Sequence, residues 1–133
     1  MAGAYEATTR GIVVRVTPAY LPDQSDPEAG QFTWAYTVEI ENHGEEPVQL
    51  ISRHWVIIDA RNRVEEVRGP GVVGEQPSLK AGESFSYTSG CPLTTSSGAM
   101  RGAYQMLNRA GEVFDAEIPE FSLHLPEATR RMN

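Results

Sequence analysis

The sequence predicts an all-β protein, an immunoglobulin-like (fibronectin type III-like) antiparallel β-sandwich of about seven strands in two sheets. Short runs of alternating apolar and polar residues recur about every ten residues, with turn-forming residues between them. No segment shows the 3.6-residue apolar repeat of an amphipathic helix. The chain has one cysteine, which excludes an internal disulfide and favours the fibronectin-like form of the sandwich.

The first half of the chain contains three predicted strands. Residues 12–17 alternate and end at Pro18, before a polar loop. Residues 32–40 place an aromatic or aliphatic side chain at every second position, which predicts one apolar and one polar sheet face. The glycine-containing turn at 42–44 lets residues 48–60 return antiparallel, so we expect a hairpin.

The alternation slips within the returning strand of this hairpin. Val48 and Leu50 share a parity that Trp55 and Ile57 do not share. One extra residue in the strand would keep all four side chains on the same face. The sequence therefore predicts a β-bulge near residues 52–54.

The second half of the chain supplies four more predicted strands. They cover residues 64–68, 85–87, 100–106 and 114–125. Glu65 and Glu66 make burial of the first of these on both faces unfavourable, which indicates an edge strand. Pro119 interrupts the last one, so we expect that strand to be long and bent.

Length and composition limit the classes of protein. The 133 residues fit one domain, over 1–126, and the apolar-poor residues 127–133 should form a frayed tail. The formal charge is -7, and Lys80 is the only lysine, so nucleic acid is excluded as a partner. No apolar run approaches the roughly 20 residues that cross a bilayer, so we expect no membrane insertion and a cytoplasmic location.

The chain contains the G-x-G-x-x-G spacing of a dinucleotide-binding motif, at Gly69, Gly71 and Gly74, but no helix is predicted after it. In a Rossmann fold these glycines precede a helix whose N-terminal amides hold a pyrophosphate. Here the residues that follow contain proline and glycine and lead into the next strand. The remaining hypothesis is a nest of backbone N–H groups in the glycine loop (residues 69–74) that binds a phosphate-type anion, assisted by Arg68 and Arg101.

Metal-binding and catalytic patterns are weak. His43, His54 and His124 lie in different segments without the short spacings of a metal site, and the acidic loop around Asp23 is typical of a solvated surface. The hydroxyl cluster at 94–97 has no G-x-S-x-G sequence around it. We therefore expect no metal, no cofactor and no enzymatic activity, and we expect Cys91 to serve as a small apolar residue.

Several segments together resemble the ApaG (CorD) family across nearly the whole chain. They read FTWAYTV at 32–38, RHWVI at 53–57, VRGPGVVGEQP at 67–77, YTSG at 87–90, GAMRGAYQM at 98–106 and IPEFSL at 118–123. The resemblance implies a fibronectin type III-like sandwich that occurs alone in bacteria and as a terminal recognition domain of some eukaryotic F-box proteins. It implies no established catalysis, and it implies an association with cobalt resistance and magnesium efflux.

The function that these observations favour is a non-enzymatic protein-interaction module. A sandwich offers exposed strand edges, to which an unknown protein partner or a second copy of the chain could bind. Met100, Tyr104 and Met106 could add apolar contact to such a surface, but their alternation favours the core. The alternative function is the binding of phosphate, pyrophosphate or a nucleotide polyphosphate through the glycine loop.

Overall fold

The computed structural model describes residues 4–126, which form two antiparallel β-sheets packed face to face. The strands are β1 (Tyr5–Thr9), β2 (Ile12–Tyr20), β3 (Phe32–Asn42), β4 (Val48–Asp59), β5 (Val64–Pro70), β6 (Ser78–Leu79), β7 (Ser84–Leu93), β8 (Gly98–Asn108) and β9 (Val113–Leu123). Two short 3-10 turns, Pro22–Gln24 and Pro27–Ala29, lie between β2 and β3. The predicted sandwich is confirmed.

All seven predicted strands are present, and the described residues contain two more. β1 was not predicted because its sequence, YEATT, lacks aliphatic side chains at alternate positions. β6 was not predicted because it is only two residues long. Both form by pairing with longer neighbours, β1 with β2 and β6 with β4. The single-domain boundary at residue 126 stays a prediction, and the tail at 127–133 lies outside the described residues.

The strand order fixes which strands have a free edge. The first sheet has the order β1-β2-β3-β7, and the second has the order β5-β4-β8-β9 with β6 paired to β4. β5 therefore lies at an edge, as Glu65 and Glu66 predict. β1 and β2 pack over β9, so β7 and β5 border the opposite, open side of the sandwich.

The core fills the space between the sheets. Its largest fully buried side chains include Trp34, Tyr104 and Phe121, and the aromatic side chains of β3 contribute as predicted. Trp34 also donates from Nε1 to the carbonyl of His124, 2.9 Å away. Met100, Tyr104 and Met106 are 0–2% exposed, so the hypothesis that they form a contact surface is wrong. Their inward parity on β8 places them in the core.

Two irregularities keep the apolar side chains directed inward. The register of β4 against β8 shifts between Leu50 and Ser52, so the predicted bulge is present, with Ile51 as the extra residue, one position before the predicted segment 52–54. The register of β8 against β9 shifts between Met100 and Gly102, where Pro119 falls within the extra length of β9. A bulge accommodates proline because the extra residue need not donate to the ladder.

Residues 4–126 contain no helix that is long and apolar enough to span a membrane.

Candidate functional site

The glycine loop closes on itself through backbone hydrogen bonds. The N–H of Gly71 donates to the carbonyl of Ile51 at 2.9 Å, and Val72 and Glu75 exchange two N–H to carbonyl bonds of 2.8 Å. Val73 and Gly74 form the tip, with φ of 42° and 81°. Positive φ at both central positions is the geometry of a tight hairpin turn. Three N–H groups of the loop segment are therefore already bonded to carbonyls.

No helix follows this loop. The chain passes through β6 and a turn into β7, so the dinucleotide-binding interpretation of the glycine spelling is excluded. Gly71 is required for steric reasons, because its φ is +58° and a Cβ there would lie 2.2 Å from the carbonyl oxygen of Glu75. The glycines thus build a turn.

Arg68 and Arg101 lie on the outer face of the second sheet. In the strand register they stand opposite His54 and Val56, neighbouring positions on one face of β4. Arg68 pairs with Glu66 at 3.5 Å, and Arg101 lies 4.0 Å from Glu120. The structure therefore does not gather the predicted site residues, since the glycines turn the chain and both arginines have carboxylate partners.

Glu66 is a shared partner on this outer face. Its carboxylate is 2.7 Å from Nε2 of His54 and also faces Arg68. These contacts, His54 first, hold the pKa of Glu66 below its ordinary value. The carboxylate therefore stays charged and keeps Arg68 engaged.

Arg53 contacts the glycine loop and was not among the predicted site residues. Its Nη1 donates to the carbonyls of Pro70 and Gly71, at 2.9 and 3.0 Å. Gly69 leaves room for this guanidinium, because a Cβ there would lie 3.1 Å from Nη1. Within residues 4–126, no carboxylate lies within ion-pair distance of Arg53. Among the described residues, the half-buried cation is thus held by two backbone carbonyls.

The sequence does carry a signal for Arg53. It shares the parity of Trp55 and Ile57, so beyond the bulge it belongs to the face of β4 that points between the sheets. An arginine at an inward position of a strand is unusual unless it has polar partners.

Arg53 lies in a cleft on the open side of the sandwich, between β5 and β7. The cleft has a volume of about 300 Å³. Its lining includes Tyr36, Arg53, Trp55, Glu65, Val67 and Cys91. It therefore combines an aromatic floor, a cation and an anion.

Burial raises the pKa of a thiol and of two tyrosines near this cleft further above neutral pH. It raises the pKa of the Cys91 thiol to about 11, with the charge of Glu65 adding to the effect. Burial also raises the pKa of Tyr36 and of Tyr87, whose hydroxyl is hydrogen-bonded to that of Tyr104. The thiol is 3% exposed and protonated, which fits the apolar role predicted for it.

β7 forms one rim of the cleft and has an edge without charge. Its ladder with β3 runs without a register shift from Ser84 to Leu93, and none of its ten residues is charged. Among the other edge strands within residues 4–126, three carry charge: Glu6 on β1, Glu65, Glu66 and Arg68 on β5, and Asp115, Glu117 and Glu120 on β9. The remaining edge strand, β6, is uncharged but only two residues long. Such charges normally protect an edge from pairing with another chain.

The direction of the free backbone groups of β7 follows from its pairing. The N–H of Asn42 donates to the carbonyl of Glu83 at 3.0 Å, and bonded and non-bonded pairs alternate along an antiparallel ladder. Ser84, Ser86, Thr88 and Gly90 therefore direct their N–H and C=O groups to the open edge. Pro92 falls in the same series, where its missing N–H costs no bond to β3.

Other predicted clusters serve local structure. Thr95, in the hydroxyl cluster, donates to the carbonyl of Ser97 at 2.7 Å and accepts from the N–H of Ala60 at 3.1 Å. Within residues 4–126, no three His, Cys, Asp or Glu side chains are grouped so as to hold a metal ion.

Comparison with known proteins identifies relatives of the whole fold. A family model described as the ApaG domain matches residues 22–108. Protein ApaG of Caulobacter vibrioides is 64% identical over 130 residues, covering 98% of this chain and 93% of that protein. Protein ApaG of Brucella anthropi is 57% identical over 129 residues, covering 97% of this chain and 99% of that protein.

A solved structure agrees with these sequence relatives. The crystal structure of a Bordetella pertussis protein named ApaA superposes with a TM-score of 0.85 at 55% identity, covering 86% of this chain and 94% of that one. Because the family match spans more than half of the chain and the sandwich superposes on that of a close relative, this chain belongs to the ApaG family.

Proposed function

We propose that this chain is a non-enzymatic protein-binding module that adds an extended segment of a partner protein to its sheet at strand β7. The observation that carries the proposal is the uncharged edge of β7, along which every second residue directs its N–H and C=O groups outward. Strand addition uses such groups for affinity and uses pockets for alternate side chains for specificity.

The surroundings of β7 support this mode of binding. A partner strand beside β7 would direct every second side chain into the cleft, toward Trp55, Val67 and Arg53. The described edge strands β1, β5 and β9 carry charge, so pairing there would cost more, and β6 is only two residues long. The module therefore has one edge suited to a partner.

In this proposal the partner protein, and not this chain, accounts for the family association with cobalt resistance and magnesium efflux. The cleft beside β7 offers an arginine and an aromatic floor, which suit a peptide better than a hard divalent cation that prefers several oxygen ligands. We place the interaction in the cytoplasm, as expected from the short apolar runs of the sequence.

Anion binding by the glycine loop has less support. The N–H groups of Gly71, Val72 and Glu75 already donate to carbonyls, and Arg68 and Arg101 have carboxylate partners. A rise in the melting temperature with phosphate, pyrophosphate or a dinucleotide polyphosphate would favour this alternative, since only a ligand of the folded state raises it.

A matched pair of threonine variants tests the proposal. Thr37 and Thr88 are both exposed and hydrogen-bond to each other at 2.9 Å, but only Thr88 lies on the free edge. Thr88→Lys and Thr37→Lys therefore lose the same bond and gain the same charge. The proposal expects a protein recovered from cell extract by the wild type and by Thr37→Lys, and lost with Thr88→Lys. Equal recovery by all three, or no protein recovered by the wild type, would contradict it.

A further inference from the structure

We infer that the strand recognised at β7 carries one acidic and one basic side chain, about four residues apart on the same face, with an apolar side chain between them. This inference rests on the proposed function and names the chemistry of the partner. It follows from two charges that line the cleft without partners within the described residues, together with the apolar surface that separates them.

The acidic position of the partner follows from Arg53. Its guanidinium is half-buried beside the aromatic floor, and its Nη1 bonds are to two carbonyls. A guanidinium presents five donors, so the group retains capacity for a carboxylate. Because the carbonyls of the glycine loop hold the guanidinium in place, a partner carboxylate would meet a preorganised cation.

The basic position follows from Glu65. This residue points toward the cleft from β5 and is exposed, and no ion pair within residues 4–126 includes it. Its pairing partner on β4 is Ile57, four positions from Arg53, so the two charges are about 13 Å apart along the strands. That distance is too long for an ion pair between Arg53 and Glu65. It matches the distance between two residues that are four positions apart on one face of an extended chain.

The apolar position lies between the two charges. Val67 of β5 stands opposite Trp55 of β4, midway between the rows of Arg53 and Glu65. Both line the cleft, and Val67 is only partly buried. An aliphatic or aromatic side chain of the partner would complete this surface.

A second copy of the chain does not fit this pattern. Its own β7 carries no charged residue, so it could satisfy neither Arg53 nor Glu65. Pairing two β7 strands about a two-fold axis would also bring the edge strands β5 of both copies, each with an unpaired Glu65, toward each other in a chain of net charge -7. A separate peptide is therefore the occupant that the charges favour.

A peptide-display selection tests the inference. The wild-type protein is used to select from a library of random nine-residue segments, and binders that also bind Thr88→Pro are discarded, since that variant lacks one edge N–H. The selection is repeated with Glu65→Lys, an exchange at an exposed edge position that should leave folding intact. We expect wild-type binders to carry the acid, apolar and base pattern, and Glu65→Lys to select an acidic residue in place of the basic one.

Binding of individual peptides supplies the quantitative comparison. Glu65→Lys should lower the affinity for a peptide selected on the wild type by about tenfold. Replacing the basic residue of that peptide with glutamate should restore its affinity for Glu65→Lys. Arg53→Gln should weaken the same peptide by a similar factor.

The outcomes separate this inference from the proposed function. Binders that depend on Thr88 but show no charge pattern, or that bind Glu65→Lys equally well, would overturn the inference and leave strand addition intact. The absence of any Thr88-dependent binder would overturn the proposed function. Concentration-dependent dimerisation that Thr88→Pro abolishes would overturn the inference in favour of a second copy.

Discussion

At the scale of single residues, Gly71 links the glycine loop to the cleft. Its carbonyl accepts from Arg53 and its N–H donates to Ile51, the bulged residue of β4. The loop therefore positions a cation through its carbonyls, where the sequence had suggested that it positions an anion through its N–H groups. The glycine spelling is explained by steric need at a turn.

Substitution of Gly71 should be far more damaging than substitution of Gly74. In Gly71→Ala the new Cβ would meet the Glu75 carbonyl at 2.2 Å, so the turn must open, whereas Gly74→Ala adds a Cβ to open space at φ of +81°. We expect a loss of about 1 kcal/mol for Gly74→Ala from backbone strain and at least about twice that for Gly71→Ala. Denaturant unfolding of both variants measures the difference, and equal losses would contradict the steric account.

Cys91 should make stability fall at alkaline pH. The folded-state pKa of the thiol, about 11, lies above its ordinary value of 9.0, so its contribution is complete below pH 9 and is lost as the pH rises toward 11. At pH 10 the thiol's share of the loss should be about 1 kcal/mol. The buried tyrosines, whose pKa is raised from an ordinary value of 10.0, add their own loss at this pH and above. Urea unfolding at pH 8 and pH 10 should show a smaller fall in Cys91→Ala. An identical fall in both proteins would show that the thiol has no part in it.

At the scale of elements, the sequence predicted what local alternation determines. Seven strands and the bulge at Ile51 follow from the parity of neighbouring residues. The free edge of β7 and the cleft do not, because they depend on which strands pair, and β7 pairs with β3 far away in sequence. Arg53 could be predicted to point inward, but its contact with Gly71 also depends on the folding of the loop onto β4.

Hydrogen exchange should alternate along β7. The amides of Ser86, Thr88 and Gly90 face the open edge, and those of Phe85, Tyr87 and Ser89 donate toward β3. We expect fast exchange for the first group and slow exchange for the second, measured residue by residue by NMR. Uniform protection along the strand would mean that the edge is covered, and the reverse pattern would place the free groups elsewhere.

At the scale of the whole molecule, one aromatic core joins the two sheets. Trp34 of the first sheet is 1% exposed and donates to the carbonyl of His124, just beyond the last strand of the second sheet. Trp55 packs against both Tyr36 and Phe121, at centroid distances of 5.2 and 6.0 Å. The cleft between β5 and β7 therefore has part of this aromatic core, Tyr36 and Trp55, as its floor.

Truncation of Trp34 should destabilise the entire fold. Trp34→Ala is expected to cost about 3 to 5 kcal/mol, because it leaves a cavity and an unpaired carbonyl. Trp34→Phe keeps most of the apolar volume and should cost clearly less. Thermal unfolding followed at two wavelengths checks both the size of the loss and its cooperativity, and a loss below about 1 kcal/mol for alanine would contradict the assigned core.

The most direct test of strand addition is an NMR experiment on the wild-type protein with a peptide from the display selection, one that does not bind Thr88→Pro. We expect the amides of Ser86, Thr88 and Gly90 to become protected from exchange when the peptide binds, and their resonances to shift together with those of the Arg53 side chain. Protection confined to the outer face around Arg68 and Arg101, with the β7 amides unchanged, would contradict it.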